Sequence, residues 1–292
     1  VRRPFVVTGR GSLFLTDALA KNKALDPVCM HHEQAAAFAA VAVSLAETEL
    51  GCAIVSTGCA STNCITGVLS AWQDEVPTIF VSGQNTLANT TRYTETHLRT
   101  FGQQEADIVS LVEPITKYAA MVQSAESVVH EVQKALSLAF SGRPGPVWLG
   151  IPLDIQSAHI SPGKIQQPLV GQGMPGKPSS GAILAIGRGL SEAKRPTILI
   201  GGRCRNKKIS EQIAALSLAY DLPVVFSHEA SAVFGAKNLN SIGSVGAMGC
   251  SRAGAFARGV EDAQSRGGRC GGIGAAVGAA VGGAGVGAAV GA

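Results

Sequence analysis

The stretch His31-His-Glu-Gln-Ala-Ala-Ala-Phe-Ala39 decides how the rest of the chain is read. A short apolar run, Pro27-Val-Cys-Met30, leads into it, and an alanine-rich helical pattern continues to about Leu45. That order predicts a strand that ends where a helix begins, with Glu33 in the helix's first turn. Glu33 is the only acid between Asp26 and Glu47. A first-turn carboxylate can simply oppose the positive end of a helix dipole. The residues downstream give it a second meaning.

Working outward, residues 1–155 alternate strand-like and helix-like segments. Strands are expected at Phe5–Thr8, Pro27–Met30, Cys52–Ser56, Thr78–Ser82, Ile115–Val122 and Val147–Ile151. Helices are expected at Leu13–Lys21, Gln34–Leu45, Thr62–Trp72, Ala106–Val112 and Ser127–Phe140. This is the pattern of an α/β fold, a doubly wound, mainly parallel sheet covered on both faces. The apolar runs are unbroken rather than alternating, as befits strands buried on both sides. Functional loops of such sheets lie at the carboxyl ends of the strands, where the stretches beginning at Thr8, His31, Thr57 and Gly83 all fall. The turn Gly9-x-Gly11 is half of a dinucleotide fingerprint, but Phe14 stands where the third glycine belongs, so a tight strand-to-helix turn is the simpler reading.

Residues 156–180, rich in Pro, Gly, Ser and Gln, read as an interdomain linker. Residues 181–250 restart the alternation as a partial, Rossmann-like central domain. It has a helix over about Gly181–Leu190, a strand Pro196–Gly202 ending in glycines, a helix Ile209–Tyr220 and a buried strand Leu222–Ser227. Residues 251–292 form a low-complexity Gly/Ala-rich tail that cannot build a core and is expected to stay disordered. A frame-shifted reading of GC-rich DNA would look the same.

Apolar residues make up 46% of the 292 and charged residues 15%, ample for a core. The net charge of +4 comes without a basic block or an acidic tail, which speaks against nucleic acid as a partner. The seven cysteines include no C-x-x-C pair, and the six histidines stand in no metal-ligand spacing with them. A reducing compartment is expected, the cytoplasm or an organelle matrix, with neither zinc nor disulfides. The stretch Gly271–Ala292 carries no charge, but Gly and Ala drive membrane insertion weakly, so no membrane span is expected.

Several motifs follow one another in a fixed order: His32-Glu-Gln-Ala-Ala36; Ser56-Thr-Gly58 with Thr62-Asn63 and Gly67; Ala71-Trp72 with Asp74 and Pro77. Ser82-Gly-Gln84, Gln104-Glu-Ala-Asp107, Pro114-Ile-Thr-Lys117, Gly142-Arg-Pro-Gly-Pro-Val147 and Ile151-Pro-Leu-Asp154 complete the series. The ordered set resembles the amino-terminal part of thiamine-diphosphate-dependent enzymes of the acetolactate synthase type, closely over residues 1–155 and loosely over 181–250.

The resemblance implies that residues 1–155 bind the cofactor's pyrimidine ring. Glu33 would be the catalytic glutamate that hydrogen-bonds a ring nitrogen and favours the imino tautomer, whose exocyclic nitrogen removes the thiazolium proton. Asn63 would lie near the pyrimidine and Gln84 near the reacting carbon. Arg143 matches an arginine that contacts FAD in flavin-containing members. His31 and His32 are expected to be scaffold. The implied substrate is a 2-oxo acid, joined or split with the cofactor as electron sink. The implied assembly is a homodimer or homotetramer, with the site between subunits. Magnesium would hold the diphosphate through a third domain marked by Gly-Asp-Gly; the chain contains no Asp-Gly dipeptide, so it reads as an incomplete enzyme, inactive alone. A non-catalytic pairing or regulatory subunit of the same fold is the alternative, and a nucleotide-binding module resting on Gly201-Gly202 is a third. Two departures are noted. The family's Thr-Gly-Pro-Gly loop reads Thr57-Gly-Cys-Ala60 here, and Gln103 replaces the phenylalanine of acetolactate synthases proper.

Overall fold

A computed structural model describes residues 1–46, 49–94, 97–160, 163, 178–205, 207–231, 240–246, 276–281 and 284–289. The chain divides into two compact units, Val1–Met174 and Pro175–Ala292. The linker expected at 156–180 falls mostly outside the described residues, and so does residue 250 with most of the tail.

In the first unit β1 (Pro4–Val6), α1 (Leu13–Lys21), β2 (Val28–Cys29), α2 (Glu33–Ala46) and β3 (Gly51–Val55) come first. Then follow α3 (Gly58–Thr62), α4 (Ile65–Gln73), β4 (Thr78–Gln84), α5 (Ile108–Val112), β5 (Tyr118–Met121), α6 (Val128–Phe140), β6 (Val147–Pro152) and α7 (Leu153–Gln156). The six strands pair in the order β2-β1-β3-β4-β6-β5, every pair parallel. All carboxyl ends therefore lie along one edge.

Successive residues of each strand serve opposite faces. Phe5, Ala53, Val55, Phe80 and Trp148 pack with Ala36, Ala37, Ala40 and Val41 of α2, Val68 and Ala71 of α4, and Ile108, Val109 and Val112 of α5. Val6, Cys52, Ile54, Ile79, Val147 and Leu149 face the other way, against Ala135 and Ala139 of α6 and Leu15 and Leu19 of α1. Two cores sharing one sheet explain why the apolar runs do not alternate.

Two expected elements differ. The helix expected over Thr62–Trp72 is broken into α3 and α4 at Asn63 and Cys64. Short polar side chains compete for backbone groups there: Ser61 Oγ donates to Ser56 O at 2.7 Å and Thr62 Oγ1 to Cys59 O at 2.7 Å. The strand expected from Ile115 begins only at Tyr118, because Glu113–Ile115 with Pro114 forms a 3₁₀ turn.

The second unit contains α8 (Ser180–Glu192), β7 (Thr197–Ile200), α9 (Lys207–Ala219), β8 (Val224–Phe226) and β9 (Ser241–Ser244). β7, β8 and β9 are parallel, and Ile198, Ile200, Ile213, Val224 and Phe226 form their core. Two segments of the Gly/Ala-rich tail lie among the described residues. β10 (Ala276–Val281) and β11 (Ala284–Ala289) form an antiparallel hairpin that pairs with the outer edge of β7. The open edge of β7 offers unpaired N–H and C=O groups, which a Gly/Ala segment can satisfy through its backbone alone.

Trp148 anchors the first core. It is fully buried, stacks on Phe80 with centroids 5.5 Å apart, and donates from Nε1 to Ser82 Oγ at 3.1 Å. Trp148→Ala should lower unfolding stability by about 3–5 kcal/mol, read from urea denaturation by circular dichroism. A loss below about 1 kcal/mol would contradict this packing.

Candidate active site

The segment that opens α2 is capped by a histidine. Gln34 N donates to His32 Nδ1 at 3.1 Å, and Ala36 N donates to His32 O at 3.1 Å as the first helical bond. The imidazole thus serves where Ser, Thr, Asp or Asn would ordinarily cap. Glu33 is then the first residue of the helix, half-buried, just past the carboxyl end of β2.

After β3 the backbone turns through Gly58 at φ +48°. A Cβ there would lie 1.4 Å from Gln104 O, so only glycine fits under the Gln104–Asp107 segment. The turn feeds α3, and the α3–α4 junction docks on the start of α2. Cys64 Sγ lies 3.5 Å from Glu33 O, and Asn63 Nδ2 donates to Glu33 Oε2 at 2.8 Å. Two residues thirty positions apart are joined, from strands that β1 separates in the sheet. Among the described residues Glu33 Oε1 accepts no hydrogen bond. One carboxylate oxygen is held, and the other is open.

The structure gives the other expected site residues different surroundings. Gln84, the last residue of β4, is fully buried; its Nε2 donates to Ala106 O at 3.2 Å and its Oε1 accepts from Asn85 N at 2.9 Å. Asn85 in turn donates to Gln103 O at 3.0 Å. These amides tie the long excursion between β4 and α5 to the strand. Glu105 closes it from within, accepting from Thr91 N at 3.0 Å and Phe101 N at 3.3 Å. Arg143 is exposed and bound to Glu75, with Nε to Oε1 at 2.8 Å; that carboxylate holds the guanidinium above its ordinary value. Neither residue joins the Glu33–Asn63 pair through a hydrogen bond.

Gly9 and Gly11 are packing glycines. A Cβ on Gly11 would meet Thr57 Cγ2 at 2.1 Å, and Gly11 N donates to Ser56 Oγ at 3.1 Å. The half-fingerprint is thereby explained by contact between the loops after β1 and β3. Sequence reasoning missed Gln156, which donates to Gly11 O at 2.7 Å and Ile151 O at 2.6 Å, and whose Oε1 lies 3.4 Å from Leu15 N. A signal was present, since Gln156 stands two residues past the Ile151–Asp154 motif.

Comparisons with known proteins identify the family. Residues 1–111 match the thiamine pyrophosphate enzyme N-terminal TPP-binding domain, and residues 185–260 match the central domain of the same enzymes. The chain belongs to the thiamine-pyrophosphate enzymes. It is 30% identical over 255 residues to acetolactate synthase isozyme 3 large subunit of Escherichia coli (strain K12), covering 85% of this chain and 42% of that protein. It is 31% identical over 209 residues to the chloroplastic acetolactate synthase of Arabidopsis thaliana, 70% of this chain and 30% of that one. With acetolactate synthase of Mycobacterium leprae (strain TN) the identity is 28% over 250 residues, 84% of this chain and 38% of that one. The chain thus spans less than half the length of these relatives. No helix among its described residues is long and apolar enough to cross a membrane.

Burial pushes the Cys64 thiol up to about 12, with the Glu33 carboxylate adding to the effect, and burial pushes Cys52 up to about 12 as well. Cys29 and Cys59 are exposed. In the folded thiamine-pyrophosphate domain, iodoacetamide at pH 8 should label Cys29 and Cys59 and spare Cys52 and Cys64 until the protein is unfolded. Because the buried thiols hold their protons above the unfolded value of about 8.5, their contribution is fully present below that pH. It is lost as pH rises toward 12. Peptide mapping after labelling reads the first effect, and denaturation midpoints between pH 8 and 11 read the second. Rapid labelling of Cys64 in the folded state would contradict the docking of α4 on α2.

Proposed function

We propose that this chain is the pyrimidine-binding and central part of an acetolactate-synthase-like enzyme that joins or splits 2-oxo acids. One observation carries the reading. The Glu33 carboxylate is half-buried at the sheet's carboxyl edge, with Oε2 held by Asn63 and Oε1 open. A ring nitrogen needs such a partner: a carboxyl oxygen of fixed direction, with no second acid bound to it.

When bound, thiamine diphosphate supplies the electron sink for 2-oxo acid chemistry. Glu33 would hold a proton at Oε1 toward the pyrimidine ring nitrogen, the interaction through which it would control the ring's amino group. Asn63 keeps the carboxylate from turning away. Gln84 works at a distance, by fixing Ala106 and Asn85 and with them the segment that roofs the Gly58 turn. The His32 cap sets the position of the first turn of α2 and takes no proton in this scheme.

Magnesium and FAD belong to the proposal as well. Among the described residues no three His, Cys, Asp or Glu side chains cluster to hold a metal. The ligands of a diphosphate-bound magnesium ion would come, in this proposal, from the diphosphate-binding part of such an enzyme. Arg143 would meet a flavin with its remaining terminal nitrogen while Nε and its neighbour stay on Glu75. The compartment proposed is the cytoplasm or an organelle matrix.

Glu33→Gln tests the reading in a fusion of this chain to the diphosphate-binding part of one of the relatives. The thiazolium proton should exchange with solvent deuterium at least roughly 100-fold more slowly than with Glu33, with the melting temperature held. Exchange at the unmutated rate would reduce Glu33 to a helix-start residue worth about 0.3–1 kcal/mol.

Self-association is part of the same reading. Phe38 of α2 and Leu69 and Trp72 of α4 are 42, 38 and 40% exposed, an apolar set suited to a two-fold contact. Sedimentation at tens of micromolar should show dimers or tetramers, and Phe38→Asp with Trp72→Glu should shift them toward monomer. A monodisperse unmutated monomer would refute the pairing.

A further inference from the structure

Arg10 occupies the outward position of the loop after β1, and the glycines on either side of it are closely packed. Gly9 and Gly11 lie against Ser56 and Thr57, where Cβ atoms would approach to 2.4 and 2.1 Å. Gly11 O accepts from Gln156 and Ser12 N donates to Gly9 O at 3.1 Å. Gly11 O is also what a Cβ on Gly83 would meet at 1.8 Å, so the loop is wedged between the ends of β3 and β4. A long cationic side chain thus projects from a tightly packed turn.

Its partner comes from far along the chain. Arg10 Nη1 donates to Gln103 Oε1, ninety-three positions away, and both residues are exposed. Gln103 is fixed in turn by its carbonyl, which accepts from Asn85 Nδ2, and by the neighbouring Gln104 at φ +55°. The pairing is with a neutral amide. Among the described residues Arg10 forms no ion pair, whereas Arg3, Arg92 and Arg143 each hold a carboxylate. The guanidinium is therefore oriented but not neutralised. Beside the same turn, Thr8, Gly9, Leu13, Thr16, Asp17 and Ala20 line a cleft of about 440 Å³, in which Asp17 is already paired with Lys21 at 2.6 Å.

We propose that Arg10, aimed by Gln103, recognises the carboxylate of the 2-oxo acid substrate at the carboxyl edge of the first sheet. The inference rests on the cofactor reading above, and it adds a specificity-determining residue to it. The guanidinium offers a planar fork of N–H donors that matches a carboxylate in geometry as well as charge. One nitrogen stays on Gln103 and the others turn to the ligand. A preorganised cation loses little freedom on binding. The neutral Gln103 orients the fork without cancelling the charge that attracts the anion.

The test uses the 292-residue chain with pyruvate as the anionic probe and methyl pyruvate as its neutral counterpart, each with and without thiamine diphosphate and magnesium. Binding is read from ligand line broadening in NMR. Pyruvate should bind more tightly than the ester, and added salt should narrow the difference, as expected of an accessible charge. Arg10→Gln should weaken pyruvate roughly 10-fold or more and leave the ester alone, and Arg10→Lys should recover part of the loss. Gln103→Leu, which keeps the charge and removes its guide, should weaken pyruvate less than Arg10→Gln. Thiamine diphosphate binding should be the same in all variants. A cofactor that fails to bind while pyruvate still depends on Arg10 would remove the cofactor reading and keep the anion site. Equal pyruvate binding by the unmutated and Arg10→Gln chains, equal affinity for acid and ester, or no pyruvate binding by the unmutated chain would overturn the assignment.

Discussion

The carboxyl edge of the first sheet depends on one close approach, the carbonyl of Gln104 over Gly58. No side chain fits between them, and Gly58 itself adopts a left-handed conformation that other residues rarely reach. Two segments forty-six positions apart are thereby pressed together. The turn after β3 can then deliver α3 and α4 onto the start of α2, where Asn63 meets Glu33. The excursion after β4 is brought down on the same edge, with Gln103 beside Arg10. A bulkier residue at position 58 would separate the layers, and both contacts would go with them. This one constraint thus governs the placement of the carboxylate and the cation alike.

Side-chain amides do much of the remaining work. Gln84, Asn85 and Gln156 each satisfy backbone groups that loops at a sheet edge would otherwise leave unpaired. The exposed Asp154 carboxylate does similar work, accepting from Leu87 N at 3.1 Å. The amides suit the task because each carries both a donor and an acceptor and no charge. The departure from the Thr-Gly-Pro-Gly pattern is also tolerated. The glycine that the geometry requires, Gly58, is retained, while Cys59 is exposed and needs no special conformation.

The architecture of the first unit was legible because hydrophobic runs separated by helical periods leave few alternatives. Val6 and Ile54 face one core while Phe5 and Ala53 face the other, and unbroken apolar strands report that arrangement directly. The pair Glu33 and Asn63 was legible only as two motifs, since the hydrogen bond between them depends on how α4 docks. Gln84 reads the same in sequence whether it faces a ligand or the protein, and the buried setting observed here comes from a contact with Ala106 twenty-two positions on. The glycine turn after β1 is ambiguous for a similar reason, and the Phe14 in place of a third glycine was what pointed to the tight packing turn the structure shows. Close backbone packing and phosphate binding ask for the same residue, and in the structure the neighbouring Ser56 and Thr57 distinguish them. The hairpin of β10 and β11 was not legible at all. Its strands pair through the backbone with β7, and Gly/Ala sequence carries no side-chain pattern to announce it.

The central claim is that Glu33 is held by one oxygen and offers the other to the cofactor's ring. A crystal structure of the chain with thiamine diphosphate bound measures this directly. The account predicts a pyrimidine ring nitrogen within hydrogen-bonding distance, about 2.6–3.2 Å, of Glu33 Oε1, with Asn63 Nδ2 still on Oε2. A ring bound elsewhere on the chain, or one lying over this edge while Glu33 turns its carboxylate to solvent, would contradict it.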